Sequence, residues 1–190
     1  MQLSPMQVPA EEELLLLRNE TRSFVRDNTD HKRLRKLRET LPGHVPDLAH
    51  RYADMGWTGV LFPEALGGSA TGFTALGVVL EELGRGLIAD PLIAHCVLAG
   101  RALLLGQNGA LAGELVPALA AGRLGAALAW QEQAGVLDPA AIATTVISEG
   151  AQARLDGTKQ FVAGPDCSGF VVSARSATGL ALAWVPRDTP

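Results

Sequence analysis

The sequence predicts an α+β protein, with an amino-terminal all-helical bundle over residues 1–124 and a partial antiparallel β-domain over residues 125–190. Three observations carry this reading. Apolar residues recur at helical spacing until about residue 123, and short runs rich in Val, Ile, Thr and aromatics take over after Gly125. Asp156-Gly157 then falls between two such runs, where a tight hairpin turn needs residues that tolerate positive φ. A block of helices followed by a block of strands, without alternation, predicts segregated elements.

The elements follow in order. Pro9 and Glu11-Glu12-Glu13 open the first helix, where acidic side chains meet the positive end of the dipole. Leu14, Leu17, Thr21, Phe24 and Val25 form its inward face, and Val45, Leu48, Ala49, Tyr52 and Met55 repeat the pattern. Thr71 is placed to cap the next helix, in which Phe73, Leu76, Val79, Leu80 and Leu83 face inward and Gly86 ends the run. Asp90-Pro91 opens a nearly all-apolar helix that stops at Gly106, as burial on every side requires. A short helix covers 110–121. Strands are predicted at 126–131, 141–148, 151–155, 158–163, 169–174 and 180–186, separated by turn residues.

Composition narrows the function classes. A net charge of −4, with both signs interspersed along 190 residues, gives no basic footprint for nucleic acid. Cys96 and Cys167 lie far apart, without the spacing of a metal site, and read as reduced thiols of a cytoplasmic protein. The first residues lack the charged and apolar regions of a secretory signal. The longest apolar stretch, 91–105, contains His95 and Arg101 and is too short to span a bilayer, so no membrane insertion is expected.

The most informative segment runs from Gly56 to Ser69, where Gly56-Trp57, Pro63-Glu64 and Gly67-Gly68 sit between two helical patterns, with Glu81-Glu82-Leu83-Gly84-Arg85 shortly after. Pro63 fixes its own φ, and the glycine pair permits backbone angles that other residues avoid. This combination resembles the signature of the amino-terminal helical domain of acyl-CoA dehydrogenases. Two further motifs are similar to that family in the same order. Gly122-Arg123-Leu124-Gly125-Ala126-Ala127-Leu128-Ala129-Trp130-Gln131-Glu132 resembles the family's first β-domain strand. Asp156-Gly157-Thr158-Lys159-Gln160-Phe161-Val162-Ala163-Gly164 resembles its "NG-x-K-x-(W/F)" hairpin.

The resemblance implies a β-barrel-like middle domain and an FAD cofactor. It also implies oxidation of an acyl-CoA thioester, as in fatty acid metabolism, with an electron-transfer flavoprotein as acceptor and a homo- or hetero-oligomeric assembly. In the family the catalytic base lies in a third, helical domain, so no catalytic residue is expected before Pro190. The implied cofactor-binding residues are Leu128, Trp130, Gln131, Phe161 and Ala163. Alternate positions put Leu128 and Trp130 on one strand face, and Phe161 and Ala163 on one face of the hairpin strand. Gln131 reaches the same side only if the strand ends or twists there.

Departures from the family pattern are equally informative. Gln131 stands at a threonine position, Val136-Leu137 replaces Gly-Ser, and Ala163 replaces a Thr or Ser expected near the flavin N5. Loss of such donors, each worth roughly 0.5–1.5 kcal/mol, weakens flavin binding. Two alternatives therefore accompany the dehydrogenase reading: a non-catalytic subunit of a heteromeric complex, and a flavin monooxygenase on the same fold. Trp130 reads equally as an inward strand aromatic or a flavin neighbour. Lys159 reads as a solvated strand residue, Glu81 and Glu82 as outer-face groups, and His95 as a hydrogen-bonded core histidine.

Overall fold

A computed structural model describes residues 8–39, 47–88, 91–149, 152–164 and 166–189. The first helix, α1 (Glu11–Asn28), begins where the acidic triplet predicts, and the Glu13 carboxylate accepts a hydrogen bond from the Ala10 N–H at 2.9 Å. Thr21 and Val25 are buried, and Leu14, Leu17 and Phe24 pack against the core, so the predicted face is the one used. A short helix α2 (His31–Leu37) precedes α3 (Leu48–Asp54), whose Leu48 and Tyr52 point inward. Val45, assigned to the same face, lies outside the described residues.

The Gly56–Ser69 segment is the chain reversal its residues suggest. Trp57–Gly59 and Glu64–Leu66 form 3₁₀ turns, and the loop closes on itself through N–H donation from Ser69 to Gly59, Ala70 to Phe62 and Gly72 to Val60. The two glycines serve different needs. Gly67 adopts φ +80°, which a side chain resists, whereas a Cβ on Gly68 would lie 2.0 Å from the Phe62 carbonyl oxygen. Trp57, Tyr52 and Phe24 pack together in tilted and edge-to-face contacts with ring centroids 5.1 to 5.6 Å apart.

Helix α4 (Gly72–Arg85) buries Ala75, Leu76, Val79 and Leu83 and ends at Gly86. Two expectations are corrected here. Phe73 is 54% exposed, because the buried stripe runs through Ala75, Leu76, Val79, Glu82 and Leu83 and Phe73 lies beyond its edge. The Thr71 side chain does not cap the helix; its hydroxyl sits 3.1 Å from that of Ser69.

Glu82 also departs from expectation. It is 1% exposed rather than on the outer face, and Arg18 and Arg22 of α1 bond its carboxylate at 2.8 and 2.9 Å. Arg18 also reaches Glu81, which pairs with Arg85 one helical turn on. Hydrogen bonds from Arg22, then Arg18, hold the Glu82 carboxyl at about 2 against the effect of burial.

The apolar stretch runs as a π-helical segment, Ile93–Gly100, continuing into α5 (Arg101–Leu105) and stopping at Gly106 as predicted. Asp90, assigned to its start, lies outside the described residues. Gly100 lets the Phe62 ring come within 2.5 Å of where a Cβ would stand. Helix α6 (Gly109–Ala120) is capped by Asn108, whose side chain accepts from the Leu111 N–H at 3.0 Å.

A five-stranded mixed sheet follows: β1 (Ala126–Ala129), β2 (Thr145–Glu149), β3 (Gln152–Asp156), β4 (Gly169–Ser176) and β5 (Gly179–Pro186). The order of helices then strands is the one predicted. The antiparallel expectation is corrected for two pairings that run parallel, β2 with β4 and β1 with β4, the latter with Ala126 opposite Gly169 through Ala129 opposite Val172. The long excursion between the two strands allows a parallel return, which a tight turn does not. β4 pairs antiparallel with β5 along its whole length and meets β2 at one position, Thr145 opposite Arg175.

The predicted hairpin at Asp156-Gly157 is also corrected. β3 pairs backwards with β2, Thr145 opposite Asp156, and residues 158–163 form no strand. Gly157 instead combines a φ of +150°, which side chains rarely adopt, with close approach, since a Cβ there would lie 2.4 Å from the Thr144 hydroxyl. Gly157→Ala is expected to cost about 1–3 kcal/mol through displacement of this crossing. Chemical denaturation is the check, and an unchanged midpoint would reject this role for the glycine.

Candidate functional site

The site is built where β1 runs out. Leu128 and Trp130, two residues apart, both line an apolar cavity of about 260 Å³ with Val136, Leu137, Ile142 and Leu182. Gln131 points elsewhere. Its backbone carbonyl accepts from the Gln160 N–H at 2.8 Å, and its carboxamide donates to the Gln133 carbonyl at 3.0 Å. Phe161 follows with φ +54° and 67% exposure, and Ala163 is exposed beyond it. Leu128 and Trp130 are thus brought together in the cavity. Gln131 is tied to the segment carrying Phe161 and Ala163, neither of which lines that cavity.

Under this arrangement lies a buried polar cluster that local sequence reading did not reveal. Lys159 is 8% exposed at its side chain, not solvated as expected, and its ammonium lies 2.7 Å from Glu132 Oε1 and 3.0 Å from Ser173 Oγ. The Trp130 carbonyl is its third acceptor, at 3.4 Å. Glu132 also accepts from the Ala143 and Thr144 N–H groups and from the Thr144 hydroxyl, at 2.6 to 2.9 Å. The only early signal was that both residues sit inside the family-like motifs.

The Lys159 bond, then Thr144 and the two backbone donors, keep the Glu132 carboxyl at about 2, below the ordinary 4.5. A carboxylate so firmly ionised does not serve as a base near neutral pH. Because its folded value is depressed, its contribution to stability is complete above pH 4.5 and is lost as pH falls towards about 2. The stability difference between the native chain and Glu132→Gln should therefore be constant above pH 5 and shrink below it. Denaturation at a series of pH values measures this, and a difference that changes only near neutral pH would contradict the assignment.

Elsewhere, His95 is buried, as a core histidine should be, beside Gly125 and Gly164. Burial raises the Cys167 thiol above its ordinary value. Among the described residues no group of three or more potential ligands can hold a metal ion, and no helix is long and apolar enough to cross a membrane.

The sequence profile of the acyl-CoA dehydrogenase N-terminal domain matches residues 11–123, more than half of the chain. The chain belongs to the acyl-CoA dehydrogenase family. Solved structures agree. A variant of the steroid ACAD Tcur3481-Tcur3483 is 33% identical, with a TM-score of 0.82 over 94% of this chain and 49% of that one. The ChsE4-ChsE5 complex from Mycobacterium tuberculosis is 24% identical, with a TM-score of 0.81 over 96% and 49%. A glutaryl-CoA dehydrogenase from Mycobacterium smegmatis, solved with FADH2, is 22% identical, with a TM-score of 0.83 over 95% and 47%. The chain spans about half the length of the structures it matches. Among curated proteins, none matches.

Family membership makes the donor set at this site a test of fit for a flavin. Phe161 is an exposed aromatic held at a positive φ that non-glycine residues seldom adopt. Such a ring suits a planar apolar partner. The hydroxyls are missing, however: Ala163 has none, and the Gln131 carboxamide is engaged by the Gln133 carbonyl. The exposed Phe161 ring is compatible with a flavin, whereas Ala163 and Gln131 make the site poor in side-chain donors.

Proposed function

We propose that this chain supplies the amino-terminal helical domain (1–124) and part of the middle β-domain (125–190) of a flavin-dependent acyl-CoA dehydrogenase. Together these would form one wall of the flavin and thioester site. Phe161, exposed and strained beside the end of β1, is the observation that carries the reading. FAD, when bound, would accept the hydride that leaves the acyl β-carbon. The chain's own contribution would be to bind and orient: Phe161 against the ring, Leu128 and Trp130 along the cavity wall, and backbone groups near Gln131 and Ala163 as hydrogen-bonding partners. An acyl-CoA would be the substrate and an electron-transfer flavoprotein the acceptor, in the cytoplasm. Two of the similar structures carry paired names, which supports assembly with a second chain.

The lost donors favour a second reading, a non-catalytic subunit that shapes an assembly without holding flavin tightly. Calorimetric titration separates the two. In the chain expressed with whatever carboxy-terminal sequence its reading frame encodes, Ala163→Thr is expected to tighten FAD binding about fivefold, roughly 1 kcal/mol, by returning a hydroxyl. Unchanged or weaker affinity with the fold intact would remove Ala163 from the flavin site. The 190 residues alone are expected not to reduce a dye with acyl-CoA, because the family's base belongs to a third domain. Sustained dye reduction would overturn that.

A further inference from the structure

The segment that carries Phe161 has almost no support of its own. Residues 158–163 belong to no strand, and among the described residues the backbone bond that ties them down is donated by the Gln160 N–H to the carbonyl of Gln131, just beyond the end of β1. Two residues around that bond behave unexpectedly. Phe161 holds φ +54° while two-thirds exposed, a conformation that persists only when its surroundings over-determine it. Lys159 places its charge in the interior, where all three ammonium protons find acceptors: Glu132, Ser173 and the Trp130 carbonyl.

We infer that Lys159 is a positioning residue: bonded to Glu132, Ser173 and the Trp130 carbonyl, it fastens the 158–161 segment to the end of β1 and sets the direction of the Phe161 ring. The cluster joins four separate stretches of chain. Trp130 and Glu132 continue β1, Thr144 precedes β2, Ser173 lies in the centre of β4, and Lys159 arrives from the unpaired segment. Gly157, pressed against Thr144, fixes where that segment enters. The chain is therefore held on both sides of Thr158, and the next residues have little freedom. A buried ion pair adds little net stability against an apolar replacement, so geometry is the stronger reason for placing one here. That the ring faces a flavin rests on the proposed function; that Lys159 sets its position does not.

Two measurements keep these apart. The first is amide hydrogen exchange resolved by NMR on the native chain, Lys159→Met and Lys159→Arg. In Lys159→Met, exchange at the Gln160 amide is expected to accelerate about tenfold or more while Val171 and Val172 in β4 keep their protection. Lys159→Arg, which keeps the charge, should recover part of it. Should Lys159→Met fail to fold, Ser173→Ala removes one acceptor without unpairing a charge and is expected to show a smaller acceleration at the same amide. Unchanged Gln160 protection in the folded variants, or loss spread equally through β4, would overturn the inference.

The second measurement is FAD titration of Lys159→Met, Phe161→Ala and the double variant. If Lys159 acts through the ring, Lys159→Met weakens binding in the native background and has no further effect once Phe161 is gone. Equal losses in both backgrounds would refute action through Phe161. No effect of Phe161→Ala on binding would instead reject the flavin reading, and the exchange result would still decide the role of Lys159.

Discussion

Gly68→Ala is expected to destabilise the helical region by on the order of 3 kcal/mol or more, a large part of the stability of an ordinary domain. The added Cβ would stand 2.0 Å from the Phe62 carbonyl oxygen, 2.4 Å from its carbon and 2.6 Å from the Gly59 oxygen. All three are backbone atoms, so no side chain can rotate away. Relief requires the reversal itself to open, which would draw Phe62 out of a site where it is fully buried against Gly100. Gly67→Ala provides the contrast. Its nearest neighbour is the Ala120 Cβ at 3.7 Å, so the cost is the left-handed backbone alone, about 1–2 kcal/mol. Urea denaturation of the two variants should rank them in that order. The reverse ranking would mean that crowding is not what selects glycine at position 68.

The second large effect is expected from Arg18→Ala combined with Arg22→Ala. Glu82 would remain buried with Arg85, 3.8 Å from its carboxylate, as its remaining cation among the described residues. Unpairing a buried charge costs about 3–5 kcal/mol, and the surviving neighbour places this case near the lower end. The pH dependence distinguishes the mechanism from simple loss of packing. In the native chain Glu82 titrates at about 2 when folded, so its contribution is present above 4.5 and lost as pH falls through that interval. Without the arginines, burial raises the folded value instead, and protonation relieves the penalty. The two stability curves should converge as pH is lowered towards 3. Parallel curves across that range would show that the arginine stems, not their charges, matter.

Much of the helical region was legible because a single buried stripe selects residues at one period. Thr21, Val25, Leu48, Tyr52, Leu76, Val79 and Leu83 all lie on the core side as the spacing predicts. The π-helical register of Ile93–Gly100 was not legible, since a segment apolar on every side carries no period to read. Phe73 misled for the opposite reason: hydrophobicity assigned it inward, and the stripe passes beside it.

In the sheet, Asp156-Gly157 has the composition of a hairpin turn, but no hairpin forms there, and its glycine answers to a φ of +150° and to Thr144 in space. The candidate site was legible in part. Alternation placed Leu128 and Trp130 on a shared wall, whereas Lys159 and Glu132 meet across 27 positions of sequence, where no local pattern applies.

The parallel pairing of β1 with β4 has a consequence during synthesis. β1 leaves the ribosome about forty residues before the strand that completes it, an interval of about 2–8 s at ordinary elongation rates. Ala126 and Ala127 are fully buried, and Gly125 brings the strand against His95 of the preceding helical segment, so one flank of β1 can seat on elements already made. Its hydrogen-bonding edge must wait. For those seconds the nascent chain presents an unpaired strand fixed in place, ready to accept β4 or any other extended segment that arrives first.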